Sequence, residues 1–473
     1  MIADRAAPPG PMPVAPAGRR GGTSGLLLAA ALVGLVQLWT IFQTSPAVWH
    51  DFAQDYIAIQ EALAGRDPYA QQNARLGELF NMPPPKEGPA YSFHPPTTLV
   101  FFVPFATLDY RAAFVAWGIV NLLSLWAIVH LTARLIRRPA APLASFGLAL
   151  GLVAVWPVRE NFVEGQLNVP VTAGIVACWY WLSTGRSMLA GVALAAAVAL
   201  KPLAGLFVLY ALWRREWRLL FASAVAIGAL AVGGLWLAGI DGTHTYVTTA
   251  YPLHAALWPG YWDNASPQGL FTRLFGDGAG RNVWRRPPYP APGLSTALTI
   301  ATWVLVVGLL FWRIGRRRAG GDRLNLDFAG LGATMLLVTP IIWPHYFVVL
   351  VAPVAVFVHA LVRRRQWPWV GVLAVSLAVL WVPRDWWPAR SMGTIQLLPL
   401  LAVYAVALAC LWRHPIAAEV ASSRQLRPGP PVAPDQSPFL QAAASVPSRV
   451  ASLSVSDRAH TATPESAHVA RTP

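Results

Sequence analysis

Residues 25–56 read GLLLAAALVGLVQLWTIFQTSPAVWHDFAQDY. The stretch is apolar from Leu26 to Ile41, follows Arg19 and Arg20, and turns polar at Trp49-His50-Asp51. A hydrocarbon core about 30 Å thick takes about 20 apolar residues per helix, so the first part reads as a membrane span over 25–44. A basic, small-residue leader before an apolar run also resembles a secretory signal. No small-residue cleavage site follows, and comparable apolar runs recur as far as Trp412, so the helix reads as retained.

Composition agrees with a chain built mostly of such runs. Of 473 residues 55% are hydrophobic and 12% charged, whereas a soluble domain is about 25% charged. The runs are long and do not alternate, which excludes an outer-membrane barrel and indicates an all-α polytopic membrane protein. The formal charge of +15 does not point to nucleic acid, because the basic residues form short groups between apolar runs and make no continuous stripe. Cys178 and Cys410 both fall inside apolar runs and read as small buried hydrophobes.

The arginine groups set the orientation, since cytoplasmic loops are enriched in Lys and Arg. Arg134/Arg137/Arg138, Arg186, Arg214/Arg215/Arg218, Arg313/Arg316/Arg317/Arg318, Arg363/Arg364/Arg365 and Arg413 all fall inside with spans at 25–44, 112–133, 143–158, 168–184, 187–213, 218–238, 295–313, 327–342, 345–362, 367–383 and 394–412. The stretch 187–213 has arginine on the same side at both ends, so it must enter and return. Lys201-Pro202 supplies the break, and a broken helix at depth is tolerated where it lines a polar cavity. Pro95–Leu108 is short and proline-flanked, and reads as re-entrant or interfacial. The expectation is about 11 to 12 transmembrane helices in a membrane domain over 23–414, with non-cytoplasmic segments at 45–95 and 239–293. A leader over 1–22 and a Pro/Ser/Ala-rich tail over 415–473 read as disordered and cytoplasmic.

This threading gathers the unusual polar residues on the non-cytoplasmic side: Asp51, Asp55, His94, Arg159, Glu160, Asn161, Glu164, Gln166, Asn168, Asn264, Ser266, Arg273 and His345. A one-sided set of carboxylates, amides and imidazoles beside a membrane suggests an active site. Phe52, Ile59 and Leu63 at helical spacing make 51–64 an amphipathic interfacial helix ended by Gly65. Asp51 at its start could serve only as an N-cap, or could act as a general base if partial desolvation raises its pKa. Asp55, one turn on, is the reserve, and Asp67 in Gly-Arg-Asp-Pro-Tyr reads as a turn residue.

His94, before Pro95-Pro96, could face the same cavity or simply hold an extended segment. Gln166 and Asn168 could join helices or bind hydroxyls. Lys201 costs about 2.5–3.5 kcal/mol at mid-bilayer and could hold a lipid phosphate or merely snorkel. Asn264 and Ser266 lie near Trp258, Tyr261, Trp262 and Trp284, aromatics that suit either carbohydrate or a membrane-interface belt. Trp343-Pro344-His345 interrupts the chain between two spans. No Walker sequence, Gly-rich dinucleotide loop, HExxH or Cys/His cluster is present. The sequence therefore calls for no nucleotide and no protein-built metal site, and leaves room for a loosely bound divalent cation.

The ordered set Asp51-Phe52 with Gly65-x-Asp67-Pro68-Tyr69, His94-Pro95-Pro96, Gly165-Gln166-x-Asn168, Leu200-Lys201-Pro202, Asn264-x-Ser266…Arg273 and Trp343-x-His345 resembles glycosyltransferase family 87. These are membrane enzymes of the C-type glycosyltransferase (GT-C) fold, typified by polyprenyl-phosphate-mannose-dependent mannosyltransferases. The resemblance implies a polyprenyl-phosphate sugar donor, a glycolipid or envelope acceptor, and inverting transfer of a hexose, mannose above all, at the extracytoplasmic face of a bacterial inner membrane. It implies Asp51 and His345 as catalytic residues; with the residue readings above, Lys201, Arg159 and Arg273 are expected to serve the donor phosphate, and His94, Gln166, Asn168, Asn264, Ser266 and Trp343 the sugar or acceptor. Asp55 departs from the family pattern, standing where an aromatic is frequent. The rival reading is a flippase for a lipid-linked sugar, which would call for internal repeats and for polar residues at both faces.

Overall fold

The computed structural model describes residues 20–83, 90–282, 286–315, 320–383, 386 and 392–412. Trp284, Arg316, Arg317, Arg318, Arg413, residues 1–19 and the tail lie outside the described residues. Helices are the only regular elements among the described residues, in the order α1 (Arg20–Thr44), α2 (Asp51–Leu63), α3 (Asn73–Phe80), α4 (Pro96–Phe102), α5 (Tyr110–Leu135), α6 (Pro142–Val153), α7 (Trp156–Glu164), α8 (Asn168–Ser183) and α9 (Ser187–Leu200). There follow α10 (Gly205–Trp213), α11 (Trp217–Thr245), α12 (Tyr251–Leu257), α13 (Pro267–Phe275), α14 (Pro292–Ile314), α15 (Gly321–Leu337), α16 (Val351–Arg363), α17 (Trp367–Leu380) and α18 (Met392–Trp412).

Among the described residues six helical stretches are long and apolar enough to cross a membrane, or seven if the bent pair α6–α7 is one span. The protein is therefore a multi-pass, all-α membrane protein. The other stretches taken as spans are shorter: α8, α9, α10, α15 and α17 run 16, 14, 9, 17 and 14 residues. Glycine permits the closest helix contacts, as membrane packing by van der Waals approach requires. Gly34 of α1 lies against the backbone of Leu150 in α6, and Gly191 of α9 against the carbonyl of Leu219 in α11.

The arginine-rich loops owe their shape to one capping geometry. At four helix ends the chain closes with a six-to-one bond: Arg138 N to Ala133 O, Arg186 N to Trp181 O, Glu216 N to Ala211 O and Gln366 N to Leu361 O, at 2.8–2.9 Å. The residue before each donor has positive φ: Arg137, Gly185, Arg215 and Arg365. Glycine ordinarily fills this position, so three of these caps place arginine where backbone strain is greatest. At the same end of the bundle Asp327 is fully buried between Arg214 and Arg323, joining α10 to α15. The expected span 327–342 thus begins earlier, at Gly321, and carries its charges inside protein.

Three expectations change near the other end. The span 143–158 is not straight: α6 stops at Val153 and α7 departs at 83°. Val155 is extended and Pro157 stands in the first turn of α7, because a proline disfavours helical geometry just before it. The segment 239–293 is largely helical, α11 continuing past a kink at Gly239 (φ 68) and through a π-helical turn into α12. Helix α2 has the expected bounds, with Gly65 at φ 70 after it, but it is no surface helix. It is covered by α3, α4, α5 and α11, and Phe52 packs on the rings of Phe102, Tyr110 and Phe114. Asp55 and Glu61 are buried with it.

The break at Lys201-Pro202 is present. Lys201 is extended (φ −146, ψ 121) between α9 and the 3₁₀ turn leading to α10. The re-entrant candidate is α4 followed by a 3₁₀ turn over Val103–Phe105.

Candidate active site

Helix α2, α7, the Lys201 break, α12 and the 343–346 turn converge on one cavity of about 250 Å³. Asp51 lines it as the first residue of α2; His50 is the N-cap, and the Asp51 side chain caps nothing. Its carboxylate instead accepts a hydrogen bond from the Gln166 amide. Burial pushes the Asp51 pKa up to about 6, the negative charge of Glu164 adds to the rise, and the Gln166 bond opposes it.

Gln166 links two groups of opposite charge. Its oxygen accepts from Lys201 Nζ at 2.8 Å, while its nitrogen serves Asp51. Asn168 Oδ1 accepts a second Lys201 bond at 3.0 Å, and the Tyr346 ring lies 4.4 Å from the ammonium. Both strong acceptors are neutral amides, beside the cavity that Lys201 lines. Gly165 sets this geometry from behind. It ends α7 at φ 64, and a Cβ there would meet the Phe52 side chain at 2.5 Å, so the α7–α8 corner and the first turn of α2 pack in direct contact.

His345 also lines the cavity. Its backbone carbonyl accepts from Asn161 Nδ2 at 2.6 Å, and its Nε2 is buried without a hydrogen-bond partner. Trp343 stands in an aromatic wall with Trp258 and Tyr261, ring centroids 5.5 and 5.6 Å away. His94 completes the set, its Nδ1 against the Asp55 carboxylate at 2.9 and 3.0 Å. Asp55 is thus behind His94, while Asp51 borders the cavity itself.

Four expected site residues are placed elsewhere. Asn264 and Ser266 are fully buried, and their side chains hold backbone: Asn264 bonds Pro259 O, Pro340 O and Ile342 N, and Ser266 bonds Pro340 O and caps α13 at Gly269 N. Arg273 binds the carbonyls of Tyr261 and Asn264, and burial lowers its pKa to about 10. Together they pin the chain before Trp343 to the α12–α13 segment. Their polarity is used by backbone groups, which in a membrane domain must be satisfied internally. Arg159 bonds Gln37 of α1 at 3.1 Å and borders a separate groove with Trp156, Trp381 and Pro383. Asn168 acts through Lys201 without lining the cavity.

Sequence reasoning left Glu160 and Glu164 without roles and passed over His254 and Asp263, all of which line the cavity. Glu160 and Glu164 are four apart and share a helical face, a signal that was legible once α7 was known to be a helix of its own. His254 had none, because it sits on a helix that hydropathy had assigned to a loop. The assembled chemistry is a carboxylate able to take a proton near neutrality, a buried ammonium, imidazoles and an aromatic wall suited to a sugar face.

Comparison with known proteins adds to this geometry. The sequence model of glycosyltransferase family 87 matches residues 93–340, a window that holds His94, Gln166 and Lys201 but stops short of Asp51 and His345 at its two ends. The chain is 29% identical over 392 residues to a polyprenol-phosphate-mannose-dependent alpha-(1-2)-phosphatidylinositol mannoside mannosyltransferase of Mycobacterium tuberculosis (strain ATCC 25618 / H37Rv), covering 78% of this chain and 83% of that one. A protein of the same description from Mycolicibacterium smegmatis is 26% identical, over 65% of this chain and 71% of its own. An alpha-(1->3)-arabinofuranosyltransferase of Mycobacterium tuberculosis (strain CDC 1551 / Oshkosh) is 23% identical, over 76% and 78%.

Proposed function

Because the chain belongs to glycosyltransferase family 87, and is thereby a membrane-embedded glycosyltransferase, we propose that it moves mannose from a polyprenyl phosphate to a hydroxyl of a glycolipid or envelope acceptor at the extracytoplasmic face. The observation that carries this reading is the Asp51–Gln166–Lys201 chain in one cavity. A raised carboxylate at one end can accept the proton of the incoming hydroxyl. An ammonium at the other end can offset the charge that grows on the departing phosphate, an electrostatic role strongest where water is excluded. Single displacement of the phosphate by the hydroxyl inverts the anomeric centre. The Trp343 wall supports the sugar face, and His345 Nε2 is available to a phosphate or sugar oxygen. The bond to phosphate supplies the driving force, so the reaction needs no nucleotide and no resident cofactor.

The arabinofuranosyltransferase relative makes a polyprenyl-phosphate pentose the competing donor. Purified protein in lipid nanodiscs, given radiolabelled polyprenyl-phosphate mannose and an envelope glycolipid extract, is expected to yield labelled glycolipid. Labelling from the arabinose donor alone would reassign the sugar. Movement of either lipid across a bilayer without transfer would replace the enzyme reading with translocation.

A further inference from the structure

Asn161 is a buried polar residue that the proposed reaction leaves without a task. It is 0% exposed, and an amide beyond the reach of water is costly unless its hydrogen bonds are made. Its Nδ2 donates to Pro157 O at 2.8 Å, one turn back in α7, and to His345 O at 2.6 Å, 184 residues away in the chain. Its Oδ1 accepts from Asn168 Nδ2 at 3.2 Å, and Asn168 Oδ1 accepts from Lys201 at 3.0 Å. Backbone carbonyls only accept, so the Asn161 nitrogen must face them and its oxygen must face Asn168. The Asn168 nitrogen then faces Asn161, which leaves its oxygen for Lys201. This order is set by the carbonyls and holds whatever the protonation of the groups around it.

The 3₁₀ segment Pro344–Leu350 packs against α7 and α8. Hydrogen bonds within a 3₁₀ turn are poorly aligned, so bonds from outside help to hold it. Two such bonds flank Trp343: Asn264 holds the chain before it, at Ile342 N, and Asn161 holds it afterwards, at His345 O. The His345 side chain borders the cavity. Its ring lies 5.2 Å from that of Tyr346, and its Nε2 is buried without a hydrogen-bond partner among the described residues. With no bond at that nitrogen, the backbone decides where it points.

On the reading that this cavity takes a polyprenyl-phosphate sugar, we infer that Asn161 is a positioning residue that acts through His345. By gripping the His345 carbonyl it holds the imidazole where Nε2 meets an oxygen of the bound donor, and through Asn168 it ties that turn to the Lys201 break. Asn161 itself does not line the cavity, so it reaches the donor only through the turn.

A double-mutant cycle on donor binding separates this role from simple packing, because residues that act through one another are not additive. The probe is farnesyl phosphate mannose, titrated without acceptor against the full chain in nanodiscs. Asn161→Ser keeps a hydroxyl that can bond Pro157 O, one turn back, but ends short of His345. It is expected to weaken binding about tenfold, the value of one hydrogen bond to a charged group. His345→Ala should weaken binding at least as much, and the double variant no more than His345→Ala alone. Hydrogen exchange of the 343–350 backbone should quicken in Asn161→Ser. Asn161→Leu, which has the same branched shape and no hydrogen bonds to give, carries the same test if the serine variant does not fold. Unchanged binding, unchanged exchange, or an equal loss with and without the His345 side chain would each overturn the inference. Binding requires no turnover, so a protein that binds this donor and transfers nothing refutes the proposed reaction while the cycle still decides the role of Asn161. If wild-type protein does not bind it, the proposed donor is refuted and the exchange measurement decides alone whether Asn161 holds the turn.

Discussion

Asp51 combines two properties that its sequence position alone does not provide: burial beneath the first turn of α2 and a negative neighbour in Glu164. Both raise its pKa, and only its ionised form can accept a proton, so transfer should rise with pH through a limb near 6. Glu164→Gln removes the neighbouring charge and should move that limb to lower pH, which pH-rate profiles of the two proteins would measure. An unmoved limb would mean that a different group controls it. Asp51, Lys201 and His345 were legible because each is anomalous in sequence, at the end of a span, in mid-membrane or in a broken turn. Arg159 was not, since neighbouring residues on a helix point about 100° apart. Only the direction of α7 decides that Glu160 meets the cavity while Arg159 meets α1.

At the scale of elements, the break at Lys201-Pro202 could be read from proline chemistry and loop charge, whereas the bend at Val155 could not. There the apolar composition continues through the corner, and hydropathy reports composition without direction. The outer segments were read as loops because their polar residues interrupt hydropathy, yet polar residues inside protein form helices as readily. The pin made by Asn264 illustrates the difference between a site and its support. Asn264→Ala strips the Asn264 bonds from Pro259 O and Ile342 N, while Pro340 O keeps Ser266, which should cost about 1–3 kcal/mol for each group left unsatisfied and lower the Tm. Trp343→Ala, at the cavity surface, should reduce transfer with a much smaller change in Tm. Equal thermal losses in both variants would contradict this division between support and site.

At the scale of the whole molecule, the polar cavity and the arginine-capped turns lie at opposite ends of the helices: α2 follows one end of α1, while Arg137, Arg215 and Arg365 cap the hairpins at the other. Because positive charge in short loops marks the cytoplasmic side, we propose that the arginine-capped end, where three arginines adopt positive φ, faces the cytoplasm. Single cysteines test that assignment, the native Cys178 and Cys410 being buried. In intact cells an impermeant maleimide should label Arg66→Cys, and Arg215→Cys only after permeabilisation; the reverse pattern would invert the molecule. Fold class was legible from composition, but the number of crossing helices was not: about 11 to 12 were expected, and six or seven stretches of the described residues are long and apolar enough. The cavity was not legible either, because it is built by helices far apart in sequence whose convergence depends on packing.

The most direct test of the account is mannose transfer from polyprenyl phosphate by Asp51→Asn, a substitution that preserves shape and hydrogen bonding to Gln166 while removing the base. The account predicts a loss of about 10²- to 10⁴-fold, the usual value of a general base, in a protein whose Tm and farnesyl phosphate binding stay close to wild type. Transfer at the wild-type rate by the folded Asp51→Asn protein would contradict it.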